Sequence, residues 1–571
     1  MVIAKMNLLW LRMGVFMVLA AAVAPHALSA ANQASAWDAF VNEFIEDHLA
    51  AHPSFAVQAG RHEFDGRLPD WRPEALDKEI ERLKSARRQA VGFDAASLDP
   101  RQRFECDYLL SLIDKELFWL DTARWPYKNP MYYSGALDPN VYITRNYAPL
   151  AERMRAYIAY AEAVPMALEQ IRNNIKTPLP RSYIDIGKTV FGGLAEYYQK
   201  DIPAVFAEVD DRSLRTAFKA ATGKAVKAME ALVAWLDAQR ATDDFAMGAD
   251  LFQKMLWETE RVKVPLPRLE QVGREDLERN LAALRKACDA YAEGKALHEC
   301  VAKVQTVKPK DAVAGARRQL DALKRFLIAK DLVTIPGPEQ ALVAESPPYA
   351  RWNIAYIDIP GPFDKGLPSI YYIAPPDPAW SEAERLAYVP SEAYLLFITV
   401  HEVWPGHFLQ YLHSNRSTSK FGQLFVGYAF SEGWAHYTEE LMWEVGLDEG
   451  DPKTQVGQLL GALKRNVRYL SAIGLHTEGM TLEESERLFR EFAYQDPGNA
   501  RQQAARGTFD PAYLNYTLGK LMIRKLREEW TAPRGGRRAW RAFHDRFLSY
   551  GGPPIPLIHD AMLGPNAGPA L

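Results

Sequence analysis

The chain has 571 residues and 64.4 kDa, is 48% hydrophobic and 25% charged, and sets 68 basic against 72 acidic residues for a formal charge of -4. That composition is globular and excludes disorder, collagen-like repeats and a coiled-coil rod, while the lack of any basic block argues against a nucleic-acid partner. Three cysteines are too few for a disulfide scaffold or a zinc ribbon.

The chain opens with Lys5 and Arg12 and no acid, then an apolar run from Met13 to Ala24, then Leu28-Ser29-Ala30-Ala31. A basic start, a short apolar stretch and small residues at the end form a secretory signal over 1–31, too short for a stable membrane span. No cysteine follows the apolar run to take a lipid anchor, so the expected location is secreted or periplasmic. In an oxidising compartment Cys288 and Cys300 either pair across the turn at Glu293-Gly294-Lys295 or remain two buried thiols.

The remainder, 32–571, has no polar linker and reads as a single, mainly α body. Its first part, 32–334, is helix after helix, as in Leu214–Arg240, where apolar residues recur three and four apart. Its second part, 335–571, begins differently, because Ile335–Trp380 holds ten prolines and three β-like runs near Ala341–Ala344, Asn353–Ile359 and Ser369–Ala374. Helices resume at Tyr394–Gln410, Gly433–Trp443, Leu482–Phe492 and Leu518–Trp530, with Thr481 and Glu484 forming a capping-box start for the third.

Five of the twelve histidines fall between 401 and 476, and none between 63 and 297. The central segment is His401-Glu402-Val403-Trp404-Pro405-Gly406-His407. Zinc-peptidase helices place two histidines four apart on one face with a Glu after the first. A spacing of six turns the second imidazole roughly 120° away on a regular helix. Pro405 removes one helical hydrogen bond and Gly406 admits unusual backbone angles, so a bulge of two extra residues returns His407 to the shared face. The rival reading is a helix that ends at Trp404 with chance histidines. A third ligand is offered by Glu432 in Glu432-Gly433-Trp434-Ala435-His436, with His436 as the competing candidate and Glu439 as a partner that orients the ligands.

With these motifs the chain resembles the bacterial family called domain of unknown function 885, from Pro53–Trp71 through to Arg506, Pro511, Tyr516 and Gly519. The resemblance implies a zincin-like, gluzincin-type fold, with a small β-sheet before the metal-binding helix and Zn2+ held by two His and one Glu. It departs from the family after Pro511, where Ala512-Tyr513-Leu514 replaces Gly-Gln-Ala.

The resulting expectation is a zinc hydrolase of peptide bonds, acting on oligopeptides, with His401, His407 and Glu432 as ligands and Glu402 as general base. Tyr516 or His476 is the donor to the developing oxyanion. Arg506 either clamps a substrate carboxylate or pairs with a structural acid, and the strand Ser369–Ala374, with Tyr372 on it, takes an extended substrate by edge pairing. The alternatives are a zinc amidase on cell-wall or small conjugated substrates and a non-catalytic binding or scaffold protein.

Overall fold

Helix starts in this chain are written by short polar side chains. Asp99, Asp211, Asp311, Ser391, Asp451 and Thr481 each accept a backbone N–H of the first helical turn that would otherwise lack a partner. The computed structural model describes residues 30–347, 351, 354–376 and 380–571, and the signal expected over 1–31 lies outside them up to residue 29. Among the described residues the fold is mainly helical, and no helix is long and apolar enough to cross a membrane.

The principal helices of the first half are α1 (Ala30–Ala51), α2 (Leu150–Asn174), α3 (Arg181–Lys200) and α4 (Arg212–Asp237). α2 and α3 both pack on α4, and their apolar faces build a core running from Trp37 to Leu236, joined by Phe421, Leu424 and Phe425 from the second half. A second core holds nearly everything from Phe252 to Ile558. The change of core therefore falls near 240–250, and the helices between there and residue 334 pack with the later part of the chain.

α5 (Leu266–Tyr291) leads into that second core, and a disulfide joins its Cys288 to Cys300 at a Cα separation of 5.7 Å. Of the two states open from the sequence, the chain adopts the paired one.

Three short strands follow: β1 (Ala341–Glu345), β2 (Ala355–Asp358) and β3 (Ser369–Ile373). Their order is β1-β3-β2, with β3 parallel to β1 through Ala341–Ser369 and antiparallel to β2 through Ala355–Ile373. The strand expected to offer a free edge to substrate is thus the middle one. Its N–H and C=O groups are taken on both sides, and the edges belong to β1 and β2, of which β2 lines the cleft.

The last principal helices are α6 (Glu392–Glu402), α7 (His407–Ser414), α8 (Tyr428–Glu444), α9 (Pro452–Ile473), α10 (Pro497–Phe509) and α11 (Asn515–Thr531). α8 and α11 meet backbone to backbone, because a Cβ on Gly433 would lie 2.5 Å from the Cα of Gly519. That contact sets Glu432 and Tyr516, on adjacent helices, beside one cleft. Lys520, fully buried, donates to Asp276 Oδ2 at 2.6 Å and lies 3.5 Å from Glu440, while Asn466 donates to the same Asp276 oxygen at 2.8 Å. One polar cluster thereby ties α5, α8, α9 and α11.

Candidate functional site

The His401–His407 segment is two helices joined by a four-residue step, where the sequence suggested one continuous helix over Tyr394–Gln410. The Gly406 N–H donates to Val400 O, six residues back, at 3.0 Å. In a regular helix that carbonyl serves the residue four on, so two residues have been inserted and His407 returns to the face of His401. The two imidazole rings stand 4.7 Å apart between centroids. Gly406 is required by space: a Cβ there would lie 1.8 Å from His401 O. The indole of Trp434, on α8, donates to Pro405 O at 2.9 Å and pins the step.

Glu432 on α8 completes the group. Its Oε2 lies 3.2 Å from His401 Nε2 and 3.5 Å from His407 Nε2, and the three ligand-type atoms all lie within 4.8 Å of one another. The approaches lack hydrogen-bond geometry, leaving Glu432 Oε2 buried and without a donor. Burial presses the Glu432 carboxyl upward, but His407 and His401 outweigh it and hold the group well below the usual carboxylate range.

The outer nitrogens of both rings are held. His401 Nδ1–H donates to Glu439 Oε1 at 2.7 Å, and Arg465 lies 2.9 Å from the same oxygen. His407 Nδ1 faces Ser431 Oγ at 3.2 Å, and that hydroxyl donates onward to Gln410 Oε1 at 3.4 Å. Both rings thus turn Nε2 toward Glu432. His436, the competing third ligand, is fully buried behind the group with Nδ1 3.6 Å from Glu439.

Glu402, His401, His407, Glu432, Tyr516 and Arg506 all line one cleft of about 630 Å3, walled on the far side by Ile354–Pro362 of the β2 edge and by Gln58 and Arg145 of the first half. Burial raises the Glu402 carboxyl to about 7, with His407 opposing and Glu432 reinforcing the rise. Tyr516 lies with its ring 6.4 Å from that of His401. Burial and the Glu432 charge keep its phenol protonated against the pull of the nearby arginines. Of the two roles the sequence left open for Arg506, the acid pairing is present, with Asp510 at 2.9 Å, and the residue also lines the cleft.

Two assignments are corrected. His476 is buried away from the cleft, with Nε2–H donating to Gly507 O at 2.7 Å, Nδ1 accepting from Met247 N at 3.3 Å, and its ring stacked on Phe252. Both nitrogens are spent on backbone, so it has no donor for a substrate. Tyr372, on the middle strand, is buried with its ring stacked 5.1 Å from Tyr356 and does not line the cleft. Sequence reasoning missed Lys464, Arg465 and Arg468, which line the cleft from α9. In the sequence, charges at 464, 465 and 468 read as a solvated helix face, and only the packing of α9 turns them inward.

Residues 53–562 match the family described as bacterial protein of unknown function, DUF885. The chain belongs to this family. Among solved structures, a candidate lipoprotein of unknown function from Shewanella oneidensis is 25% identical, with a TM-score of 0.75 over 94% of this chain and 100% of that one. A candidate lipoprotein from Colwellia psychrerythraea is 18% identical and shares the fold, with a TM-score of 0.75 over 94% of this chain and 99% of that one. No curated protein matches significantly.

Proposed function

We propose that this DUF885 member is an exported, zincin-like zinc hydrolase that cleaves peptide bonds of oligopeptides. The carrying observation is the convergence of His401 Nε2, His407 Nε2 and the donor-less Glu432 Oε2 at one wall of a cleft. Two imidazoles and one carboxylate are the donor set of an open catalytic zinc site, with the remaining position left for water. The buried carboxylate oxygen without a hydrogen-bond partner fits that use, and the basic and apolar start of the chain supports export.

Zinc, when bound, supplies Lewis acidity and lowers the pKa of a coordinated water. The chain's own groups do the rest. Glu439 and Ser431 fix the ring tautomers so that both Nε2 atoms face inward. Glu402, whose carboxyl titrates near neutrality, takes the water's proton and hands it to the leaving amine. The Tyr516 hydroxyl donates to the oxyanion, and the exposed edge of β2 receives the extended substrate.

The test is Glu402→Gln. Metal analysis of the purified variant should return close to one zinc per chain, as in the parent, while turnover of a mixed peptide library falls about 100-fold or more. Full activity in Glu402→Gln would overturn the base assignment, and a parent chain that purifies without zinc and cleaves nothing would overturn the whole reading.

A further inference from the structure

Lys464, Arg465 and Arg468 reach the cleft from α9 and Arg506 from α10, gathered around Tyr516. The guanidinium carbons of Arg465, Arg468 and Arg506 lie 5.6, 4.9 and 5.9 Å from its ring centroid. Their partners differ. Arg465 is paired with Glu439, Arg506 with Asp510, and Lys464 donates to the Tyr394 hydroxyl at 2.6 Å. Arg468 alone of the three arginines has no carboxylate: its Nε donates to Gln503 Oε1 at 2.8 Å, and no ion pair among the described residues includes it.

Arg468 is only 7% exposed. Holding a cation out of water without a counter-charge is unfavourable, and the like charges of Arg506 and Arg465 add to the strain on it. Such an arrangement is retained where an anion is supplied from outside, and a guanidinium meets a carboxylate through two parallel hydrogen bonds. The charge of the cleft agrees. Arg145, Lys464, Arg465, Arg468 and Arg506 line it against Asp358, Glu402 and Glu432, while Glu439 and Asp510 lie behind the wall.

Position decides what kind of anion. One aromatic ring separates Arg468 from the metal ligands: Tyr516 is 4.9 Å from the guanidinium and 6.4 Å from the His401 ring. An extended residue spans ~3.5 Å, so this distance is covered by at most about three residues. Resting on the zinc-peptidase reading above, we propose that Arg468 is the carboxylate-recognition residue of the cleft. The preferred substrates are oligopeptides with a carboxylate within about three residues of the scissile bond, supplied by the chain terminus or by an acidic side chain.

The experiment uses the full zinc-containing protein and one short cleavable peptide in four versions: free C-terminal acid, C-terminal amide, and the amide with Glu or with Gln beside the end. The acid-bearing member of at least one pair should show kcat/KM tenfold or more above its neutral match. The acid–amide pair identifies the terminus as the source, and the Glu–Gln pair the side chain. In R468Q the ratio should collapse to below about threefold. Equal kcat/KM across both pairs in the parent overturns the proposal without recourse to any variant, and so does an R468Q protein that folds and keeps the full ratio. Calorimetric titration of the same peptides into E402Q separates the two readings. Tenfold tighter binding of acid peptides by E402Q, together with a zinc-containing parent that cleaves none of them, sinks the peptidase and leaves the carboxylate site standing. Cleavage without discrimination sinks only the carboxylate site.

Discussion

Gly406→Ala tests the geometry on which the site depends. The added Cβ would lie 1.8 Å from His401 O and 2.4 Å from Val400 O. Carbon–oxygen contacts become tolerable at roughly 3.3 Å, so the backbone must give by about 1.5 Å, and nothing flexible stands at either contact. The shift breaks the 3.0 Å bond from Gly406 N to Val400 O, worth ~1 kcal/mol, and adds overpacking of ~1–3 kcal/mol. A loss of about 2–4 kcal/mol in urea unfolding follows, measured with chelator present so that metal does not mask it. His401 or His407 moves with the backbone, and metal ligands tolerate errors of only ~0.2 Å. Zinc affinity, read by competition with a chromophoric chelator, should fall on the order of 100-fold. A Gly406→Ala protein whose zinc affinity stays within threefold of the parent would refute the inserted-step account of how the two histidines meet.

Glu439→Gln, which keeps the shape but weakens the acceptor for His401 Nδ1–H, should lower zinc affinity ~10–100-fold while leaving the fold's helical signal unchanged; an unchanged affinity would show that His401 is oriented by packing alone. A pH prediction comes from the cluster around Lys520. Burial raises the Glu440 carboxyl, but Lys520, Arg279 and Arg524 overcome it and hold the group at about 2. A depressed folded value means that the contribution to stability is complete above the unfolded carboxylate value of ~4.3 and is lost as pH falls from there toward 2. Stability measured by urea unfolding should therefore drop across that window, and Lys520→Met should flatten the drop; an equally steep fall in Lys520→Met would exclude the cluster as its source.

Much of the local structure was legible because local rules decide it. The capping box at Thr481–Glu484 appears as read, and the three β-like runs each became a strand. At the spacing of six, helix geometry left either a two-residue insertion at Pro405 and Gly406 or a helix ending at Trp404 with chance histidines, and the bond from Gly406 N to Val400 O decides for the insertion. Which strand is central was not readable, because it depends on β3 finding β1 on one side and β2 on the other, a choice made by tertiary packing. His476 misled for a similar reason. Its place in the cluster of histidines between 401 and 476 looked functional, whereas its partners Met247 and Phe252 come from a helix start more than 200 residues earlier. Arg468 was overlooked because a charged residue every fourth position on a helix ordinarily signals a solvated face, and only the packing of α9 shows these cations turned inward.

The cleft is bounded by two separately packed cores. Gln58 and Arg145 come from the first, the histidines, Glu432 and the cations of α9 from the second, and Arg145 clasps Asp358 at 2.9 Å and Asp364 at 3.3 Å across the gap. The His401–His407–Glu432 triad is thus complete within one half of the chain, while the cleft in front of it has both its walls only when both halves are present. A fragment beginning near residue 245 would carry all three proposed zinc ligands and still lack one side of the cleft, so on the proposed reading chemistry and selection of what reaches it are encoded in different stretches of the polypeptide.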